Sequence, residues 1–416
     1  MRALADFFLR RLVVLGRLTV RWPNGQLTTY AGTPGPEALV HFKDRRTVRR
    51  VFMDPGIAIG DCYMDGTLVP VDCTIYEVLD VLMTNVESRP NDMPMMRLRT
   101  ALRHIIRRLS QFNPVGRSRR NVAHHYDLNG RLYSLFLDRD RQYSCAYFPH
   151  GNETLEEAQA AKKRHIAAKL KLDRPDLEVL DIGCGWGGMA LTLARDYGAK
   201  VTGVTLSTEQ LAEAQARAAA AGLSDRVTFE LMDYRKLHRR FDRIVSVGMF
   251  EHVGLNHYRT FFDVVKRCLT PDGVAVIHSI GRSDGPGSTN AWLAKYIFPG
   301  GYSPALSEVL PTVERSGLFL TDIEILRLHY AETIRHWRRR FAANRDTIAA
   351  LYDARFCRMF EIYLAGSELS FRRQGMMNFQ LQLTRSLEAV PLTRDYMVES
   401  ERAVAATPVL KSVSPP

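Results

Sequence analysis

Val179-Leu-Asp-Ile-Gly-Cys-Gly-Trp-Gly-Gly188 decides how the rest of the chain is read. A short apolar run ends in Asp181, and glycines follow at 183, 185, 187 and 188. Glycine lets a turn tighten and lets backbone come close to a ligand. The segment reads as a strand over Val179 to Asp181, a glycine turn, and a helix near Met189 to Tyr197. Working outward, strands and helices alternate. A helix over Leu155 to Leu170 comes before it. After it come a strand over Lys200 to Val204, a helix over Thr208 to Ala221, and strands over Arg226 to Leu231 and Arg243 to Val247. A helix over Tyr258 to Cys268 and a strand over Gly273 to Ser279 complete the run. Such alternation predicts an α/β fold, a parallel sheet with helices on both faces. The C-terminal part adds Thr321 to Leu328, an arginine-rich helix around Trp337, a helix near Tyr352 to Leu364 and a last strand near Phe379 to Leu383.

A lone Gly-x-Gly also fits dinucleotide binders. Three features point elsewhere. Asp181 precedes the first glycine by two residues. The next strand ends in Thr205-Leu-Ser207, not in a carboxylate suited to an NAD ribose. Leu269-Thr-Pro-Asp-Gly273 leads into a later strand. In these respects the segment resembles the class I S-adenosylmethionine (SAM)-dependent methyltransferases, which have a Rossmann-like sheet. The resemblance implies roles. Asp181 and the loop Gly183, Cys184, Gly185, Trp186, Gly187 and Gly188 would line the methionine portion of S-adenosylmethionine. Thr205, Ser207 and Gln210 would reach the ribose, and Asp233 and Tyr234 would flank the adenine. Asp233 also fits a simple turn-former.

The chain has 416 residues, so one large domain plus a smaller one is expected. Hydrophobic residues make up 46%, enough for a real core. Lys+Arg minus Asp+Glu is 57 − 45 = +12, which suggests an anionic partner: nucleic acid, acidic substrate or anionic lipid. Cys62, Cys73, Cys145, Cys184, Cys268 and Cys357 form no Cys-x-x-Cys pair and are too sparse for a disulfide framework. A reducing cytoplasm without a structural metal is the simplest reading. Arg10 and Arg11 break the N-terminal apolar stretch, which argues against a signal peptide. No apolar run reaches 18 residues, so membrane contact would be peripheral.

Residues 1–90 read as a small strand-rich unit. Leu18 to Trp22 before Pro23-Asn-Gly25, and Val48 to Phe52 before Asp54-Pro-Gly56, are its candidate strands; Thr74 to Leu82 looks helical. A basic linker over 91–122, a catalytic domain over 123–395 and a tail over 396–416 follow. The linker interleaves Arg97, Arg99, Arg103, Arg107 and Arg108 with Leu98, Leu102, Ile105 and Ile106. It is either a solvated basic helix or an amphipathic surface for anionic head groups, where each charge contributes about 1 kcal/mol.

Six further segments stand in order: His124-His-Tyr-Asp-Leu128, Tyr143-Ser-Cys-Ala-Tyr-Phe148, Gly248-Met-Phe-Glu-His-Val-Gly254, His278-Ser-Ile-Gly281, Phe298-Pro-Gly-Gly-Tyr302 and His329-Tyr-Ala-Glu-Thr333. Together they resemble the cyclopropane-fatty-acyl-phospholipid synthases, whose core segments the mycolic acid cyclopropane synthases share. The resemblance covers roughly 120 to 390. Asp54-Pro-Gly-Ile-Ala-Ile-Gly-Asp-Cys-Tyr-Met-Asp-Gly66 is similar to the extra N-terminal domain of the phospholipid-acting branch. It implies methyl transfer to a cis double bond in the acyl chains of unsaturated membrane phospholipids. Transfer leaves a carbocation; losing one proton from the new methyl group closes the ring. Family members use a bound bicarbonate as the base. By resemblance Glu251, His278 and Tyr330 hold it, with backbone groups at Cys145 and Ile280. Tyr143 and Ser144 would touch the cofactor, and Trp186 would stand where its pocket meets the acyl channel.

The residues themselves allow plainer readings beside these. Glu251 and His278 should project from neighbouring strand ends, where ligands bind in α/β sheets, with His278 tunable near neutral pH. Yet Glu251 also fits a helix cap, and His278 a satisfied core histidine. Cys145 could be a nucleophile, but the chemistry needs no covalent intermediate. Tyr330 also fits a packing role. Tyr143, Tyr147, Phe148 and Phe250 offer faces to a cation or simply pack. Relatives often carry Cys where this chain has Ser367, a thiol the reaction does not require. Gly281 to Leu310 reads as a long loop and a candidate lid, with Phe298-Pro-Gly-Gly-Tyr302 as tip or hinge. Arg335, Arg338, Arg339 and Arg340 around Trp337 form either a second lipid-facing patch or a solvated face. The expected partners are unsaturated phospholipids, an anionic lipid surface and a second copy in a homodimer, at the inner face of the membrane from the cytoplasm. Nucleic acid is disfavoured, since Gly248-Met-Phe-Glu251 stands where a base-amine methyltransferase carries Asp/Asn-Pro-Pro-Tyr/Phe. A related outcome is methylation alone, giving methyl-branched, methylene or furan-precursor lipids.

Overall fold

Residues 2–87 and 130–406 are described by a computed structural model. The arginine-rich segment 91–122 and the motif His124 to Leu128 lie outside the described residues. The first part runs α1 (Arg2–Leu12), β1 (Leu15–Arg21), β2 (Leu27–Ala31), β3 (Thr33–Phe42), α2 (Arg45–Met53), α3 (Pro55–Met64), β4 (Leu68–Pro70) and α4 (Ile75–Glu87). Its sheet has the order β2-β1-β3-β4. Val48 to Phe52 is not a strand but the end of α2. Asp44 caps that helix, its carboxylate accepting from Thr47 N at 2.7 Å. Apolar residues at 48, 51 and 52 keep helical spacing, with Val48 and Val51 buried. The unit is a small mixed domain, a four-stranded sheet packed with α1 to α4.

The larger part continues through α5 (Gly130–Phe136), α6 (Leu155–Lys169), β5 (Glu178–Ile182), α7 (Gly188–Tyr197), β6 (Lys200–Thr205), α8 (Thr208–Ala220), β7 (Val227–Leu231), β8 (Phe241–Val247), α9 (Tyr258–Cys268) and β9 (Leu269–Arg282). It ends with α10 (Ala291–Tyr296), α11 (Leu306–Ser316), β10 (Phe319–Leu326), α12 (His329–Ala343), α13 (Arg345–Leu351), α14 (Ala354–Arg373), β11 (Met376–Thr384) and α15 (Asp395–Ala406). Local chemistry explains the firmest boundaries. Thr154 and Glu157 form a reciprocal capping box at the start of α6. Ser207 and Asp353 cap α8 and α14.

Seven strands form one sheet of order β10-β11-β9-β8-β5-β6-β7. Strands β5 to β9 are parallel, as expected. Strand β11 is antiparallel to both its neighbours, so the sheet is mixed. The chain leaves β10, builds α12 to α14, and returns to slot β11 between β9 and β10. That insertion sets the register beneath the site: Val247 lies opposite His278, His278 opposite Gln380, and Ile280 opposite Asn378.

Several surface expectations change. Residues 281–310 are not one loop: α10 lies within them and α11 begins at Leu306. The ring of Trp292 on α10 packs against Gly60, and Tyr296 donates to Asp61 at 2.9 Å. Arg50 and Lys295 also pair with Asp61, at 3.2 and 3.7 Å. The arginine run on α12 is largely committed inward. Arg335 pairs with Glu332, Arg338 with Glu368 at 2.9 Å and Arg340 with Glu156 at 2.6 Å, leaving Arg339 exposed. It is not a free lipid-facing patch. Part of the expected tail is helical too. Helix α15 packs on α6, where His165 Nδ1 lies 3.1 Å from Glu401. Among the described residues no helix is long and apolar enough to cross a membrane.

Candidate active site

A first cavity opens at the carboxyl ends of β5, β6 and β8. Asp181, Gly183, Gly185, Trp186, Thr205, Gln210, Asp233 and Tyr234 line it, and Tyr143 and Ser144 close one side. Gly185 has φ +55 and open space where a side chain would stand, the form of a backbone cradle. Gly188 is required for another reason: a Cβ there would collide with Gln142 and with the Asp140 carboxylate at the start of α7. Gly187 and Ser207 do not line the cavity. Gly187 leads into α7, and Ser207 Oγ accepts from Gln210 N at 3.2 Å as a helix cap. Thr205 and Gln210 bond each other at 3.0 Å. Asp233 caps a turn and also lines the cavity. Burial works against its ionisation, but bonds from Arg235 at 2.7 and 2.9 Å more than offset this and lower its pKa. Asp181 is different. Burial pushes its pKa up to about 7, and among the described residues its Oδ2 has no hydrogen-bond partner.

A second cavity gathers all five residues assigned to the chemistry: Cys145, Glu251, His278, Ile280 and Tyr330. Tyr143, Ser144, Gly248 and His252 line both cavities, so the junction lies there. Trp186 faces only the first cavity. Glu251 does not cap a helix. Its Oε1 accepts from Ile280 N at 2.6 Å, and its buried Oε2 has no hydrogen-bond partner among the described residues. Burial lifts its pKa to about 7, tempered by the Ile280 N–H. The Ile280 amide is thus already committed to Glu251.

His278 is buried, and burial with Lys162 nearby lowers its pKa to about 3. The imidazole is neutral at physiological pH, contrary to the expectation of a group tunable near neutrality. Its Nδ1 lies 3.0 Å from Gln380 Nε2 and its Nε2 3.4 Å from Asn378 Nδ2. These two amides, which the sequence offered no reason to single out, orient the ring. Cys145 is a fully buried thiol with its pKa pushed well up by desolvation, and its Sγ donates to Ala146 O at 3.3 Å. It is no nucleophile.

Of the aromatics proposed to face a cation, only Tyr143 lines a cavity. Phe250 packs among Tyr258, Phe261 and Phe262; Tyr147 stacks on His165 and His329; Phe148 stacks on His329 and His336. Phe298, Phe371 and Ser367, from distant parts of the chain, complete the second wall.

The partition between the cavities is irregular backbone over 142–148. Buried backbone must find partners. Gln159 Nε2 donates to the carbonyls of Gln142 and Ser144, at 3.2 and 3.0 Å. Thr333 Oγ1 accepts from Ala146 N at 3.0 Å, and His329 Nδ1 from Phe148 N at 3.0 Å. Thr333→Val keeps the shape but orphans the buried Ala146 N–H. We expect a loss of about 1–3 kcal/mol in denaturant unfolding; a variant as stable as the parent would show that this bond does not hold the partition.

Comparison with known proteins agrees with this arrangement. The family model described as mycolic acid cyclopropane synthetase matches residues 115–381. A cyclopropane-fatty-acyl-phospholipid synthase from Escherichia coli is 38% identical over 353 residues, 84% of this chain and 88% of that protein. A tuberculostearic acid methyltransferase from Mycobacterium tuberculosis is 35% identical over 92% of this chain and 91% of its own length. A crystal structure of a mycolic acid cyclopropane synthase complexed with SAH and CTAB superposes with TM-score 0.61 at 32% identity, covering 66% of this chain and 99% of the other. A seven-stranded sheet with one antiparallel strand, a glycine cradle and a second cavity against it thus occur in a chain that belongs to the mycolic acid cyclopropane synthetase family of methyltransferases.

Proposed function

We propose that this protein transfers a methylene group from S-adenosylmethionine to the cis double bond of an unsaturated phospholipid acyl chain, forming a cyclopropane. The observation that carries the reading is the shared partition. One cavity has a glycine cradle and an orphaned Asp181 oxygen, which fit a sulfonium amino acid and its nucleoside. The other, separated by Tyr143 and Ser144, has apolar walls and buried proton-handling groups. S-Adenosylmethionine supplies an electrophilic methyl group when bound. The chain's part is to aim it across the partition, exclude water, and take up one proton.

A small oxyanion such as bicarbonate fits the second cavity. Glu251 Oε2 is unpartnered there, and His278, Tyr330 and the backbone beside Cys145 surround it. It would supply a base that does not trap the cation. Neutral His278, its two ring nitrogens held by Gln380 and Asn378, adds no positive charge beside a developing carbocation. Glu251, with a pKa near 7, exchanges a proton at physiological pH. Tyr143 presents its ring at the junction.

A second reading is methyl transfer without ring closure. The tuberculostearic acid methyltransferase, similar over nearly the whole chain, favours it. The two outcomes differ in the cation's fate: loss of a proton from the new methyl group closes the ring, and loss of one from the acyl chain leaves a methyl-branched alkene.

Peripheral docking on anionic lipid has a candidate surface in α1. Leu4, Phe7 and Phe8 are exposed, between Arg2, Arg10 and Arg11.

Incubation with S-adenosylmethionine and liposomes of unsaturated phospholipid, followed by mass analysis of the acyl chains, tests the function. A 14-dalton gain with loss of the double bond is expected. The same gain with unsaturation retained assigns methylation only, and no gain rejects both. The rate should rise with pH through about 7 as Glu251 ionises, then level off. Glu251→Gln should lower it by about 10²–10⁴-fold; an undiminished rate removes Glu251 from the chemistry. Phe7→Asp with Phe8→Asp should cut co-flotation with anionic vesicles by about tenfold or more. Unchanged co-flotation would rule out α1 as the docking face.

A further inference from the structure

Lys162 takes no part in the chemistry above, yet its position is costly. It lies on α6 and is fully buried. A buried ammonium is unfavourable unless a charge or several dipoles compensate it. Its Nζ donates to Gln142 Oε1 at 2.5 Å and to Ser144 Oγ at 3.0 Å, both uncharged acceptors. Among the described residues no carboxylate comes within ion-pair distance of it. The neighbouring Lys163, together with Arg217, takes Asp140 instead. Burial and Lys163 lower the Lys162 pKa to about 8, against the weaker pull of Asp138, Asp140 and Cys145.

Both acceptors open on the first cavity. Because Ser144 Oγ accepts from Lys162, its own O–H remains to donate into that cavity. Asp181 lines the same cavity, its Oδ2 unpartnered, and Lys162 is the charge that favours its ionised form. The cavity therefore offers an ammonium relayed through a hydroxyl and a carboxylate short of a partner. An α-amino acid end carries the matching pair, one carboxylate and one ammonium.

We propose that Lys162 is the counter-charge for the α-carboxylate of the cofactor's methionine, acting through the Ser144 hydroxyl, while Asp181 receives the α-ammonium. Lys162 is a positioning residue: it binds the cofactor through Ser144 and so fixes the direction in which the sulfonium points. This inference rests on the first cavity being the S-adenosylmethionine site.

Calorimetric titration with S-adenosylmethionine and with decarboxylated S-adenosylmethionine separates the two. The second ligand keeps the nucleoside, sulfonium and amine and lacks only the carboxylate. The parent protein should prefer the intact ligand by about tenfold or more. In Lys162→Met that preference should collapse to within about twofold. Equal loss for both ligands, or a preference that survives, overturns the role of Lys162. Should Lys162→Met fail to fold, as judged by its thermal melt, Ser144→Ala decides by the same criterion. A parent protein that binds neither ligand would instead refute the reading of the cavity itself.

Discussion

Irregular backbone buried between two cavities is the constraint on which this structure depends. Residues 142–148 have neither helix nor strand to satisfy their polar groups, and an orphaned buried amide or carbonyl costs about as much as a lost hydrogen bond. The solution draws on two helices that flank the segment in space but not in sequence. Gln159 and Lys162 on α6 hold it from one side, and His329 and Thr333 on α12 from the other. The glycine loop is tied to the same framework. Arg217 on α8 donates to the Trp186 carbonyl at 2.7 Å and pairs with Asp140, which in turn accepts from Gln142 at 3.0 Å. A partition assembled this way holds the two cavities apart while letting Tyr143 and Ser144 face each of them.

The electrostatic character of the site follows from its dryness. Desolvation pushes Asp181 and Glu251 up to about 7 and His278 down to about 3. Each change favours the neutral form. Such an environment suits the proposed reaction, in which a cationic methyl donor meets an uncharged alkene, because neutral His278 adds no positive charge in the second cavity. The carboxyls, poised near neutrality, are the groups able to change charge as the reaction proceeds.

The N-terminal module bears on the site through α10 and α14. On α14, Glu361 accepts from Tyr63 at 2.6 Å and Arg373 pairs with Asp80 at 3.0 Å; that helix carries Ser367 and Phe371 of the second cavity. Asp61 gathers Arg50, Lys295 and Tyr296, and Trp292 covers Gly60. These anchor α10, and the residues after it form walls: Phe298, Gly301 and Tyr302 of the second cavity, Pro299 and Gly300 of the first. The candidate lid segment is thus held at one end by the smaller module and at the other by the Tyr302 N–H donating to the Glu251 carbonyl at 3.0 Å.

The sequence by itself determined the alternating core from α6 to β9 because each element there carries a local signal: the capping box at Thr154 and Glu157, the glycine turn after Asp181, the Ser207 cap. It also brought Glu251, His278 and Tyr330 forward, through a resemblance borne by ordered motifs. Tertiary structure alone decided what those residues are. The neutral state of His278 depends on burial beneath β11, whose antiparallel insertion no local pattern reveals, and on Gln380 and Asn378, distant by about a hundred residues. The arginines of α12 read as a surface patch until α6 and α14 supplied Glu156 and Glu368. Val48 to Phe52 read as a strand until the Asp44 cap settled it as helix. Local signals encode elements; burial, partner and protonation state are properties of the packed whole.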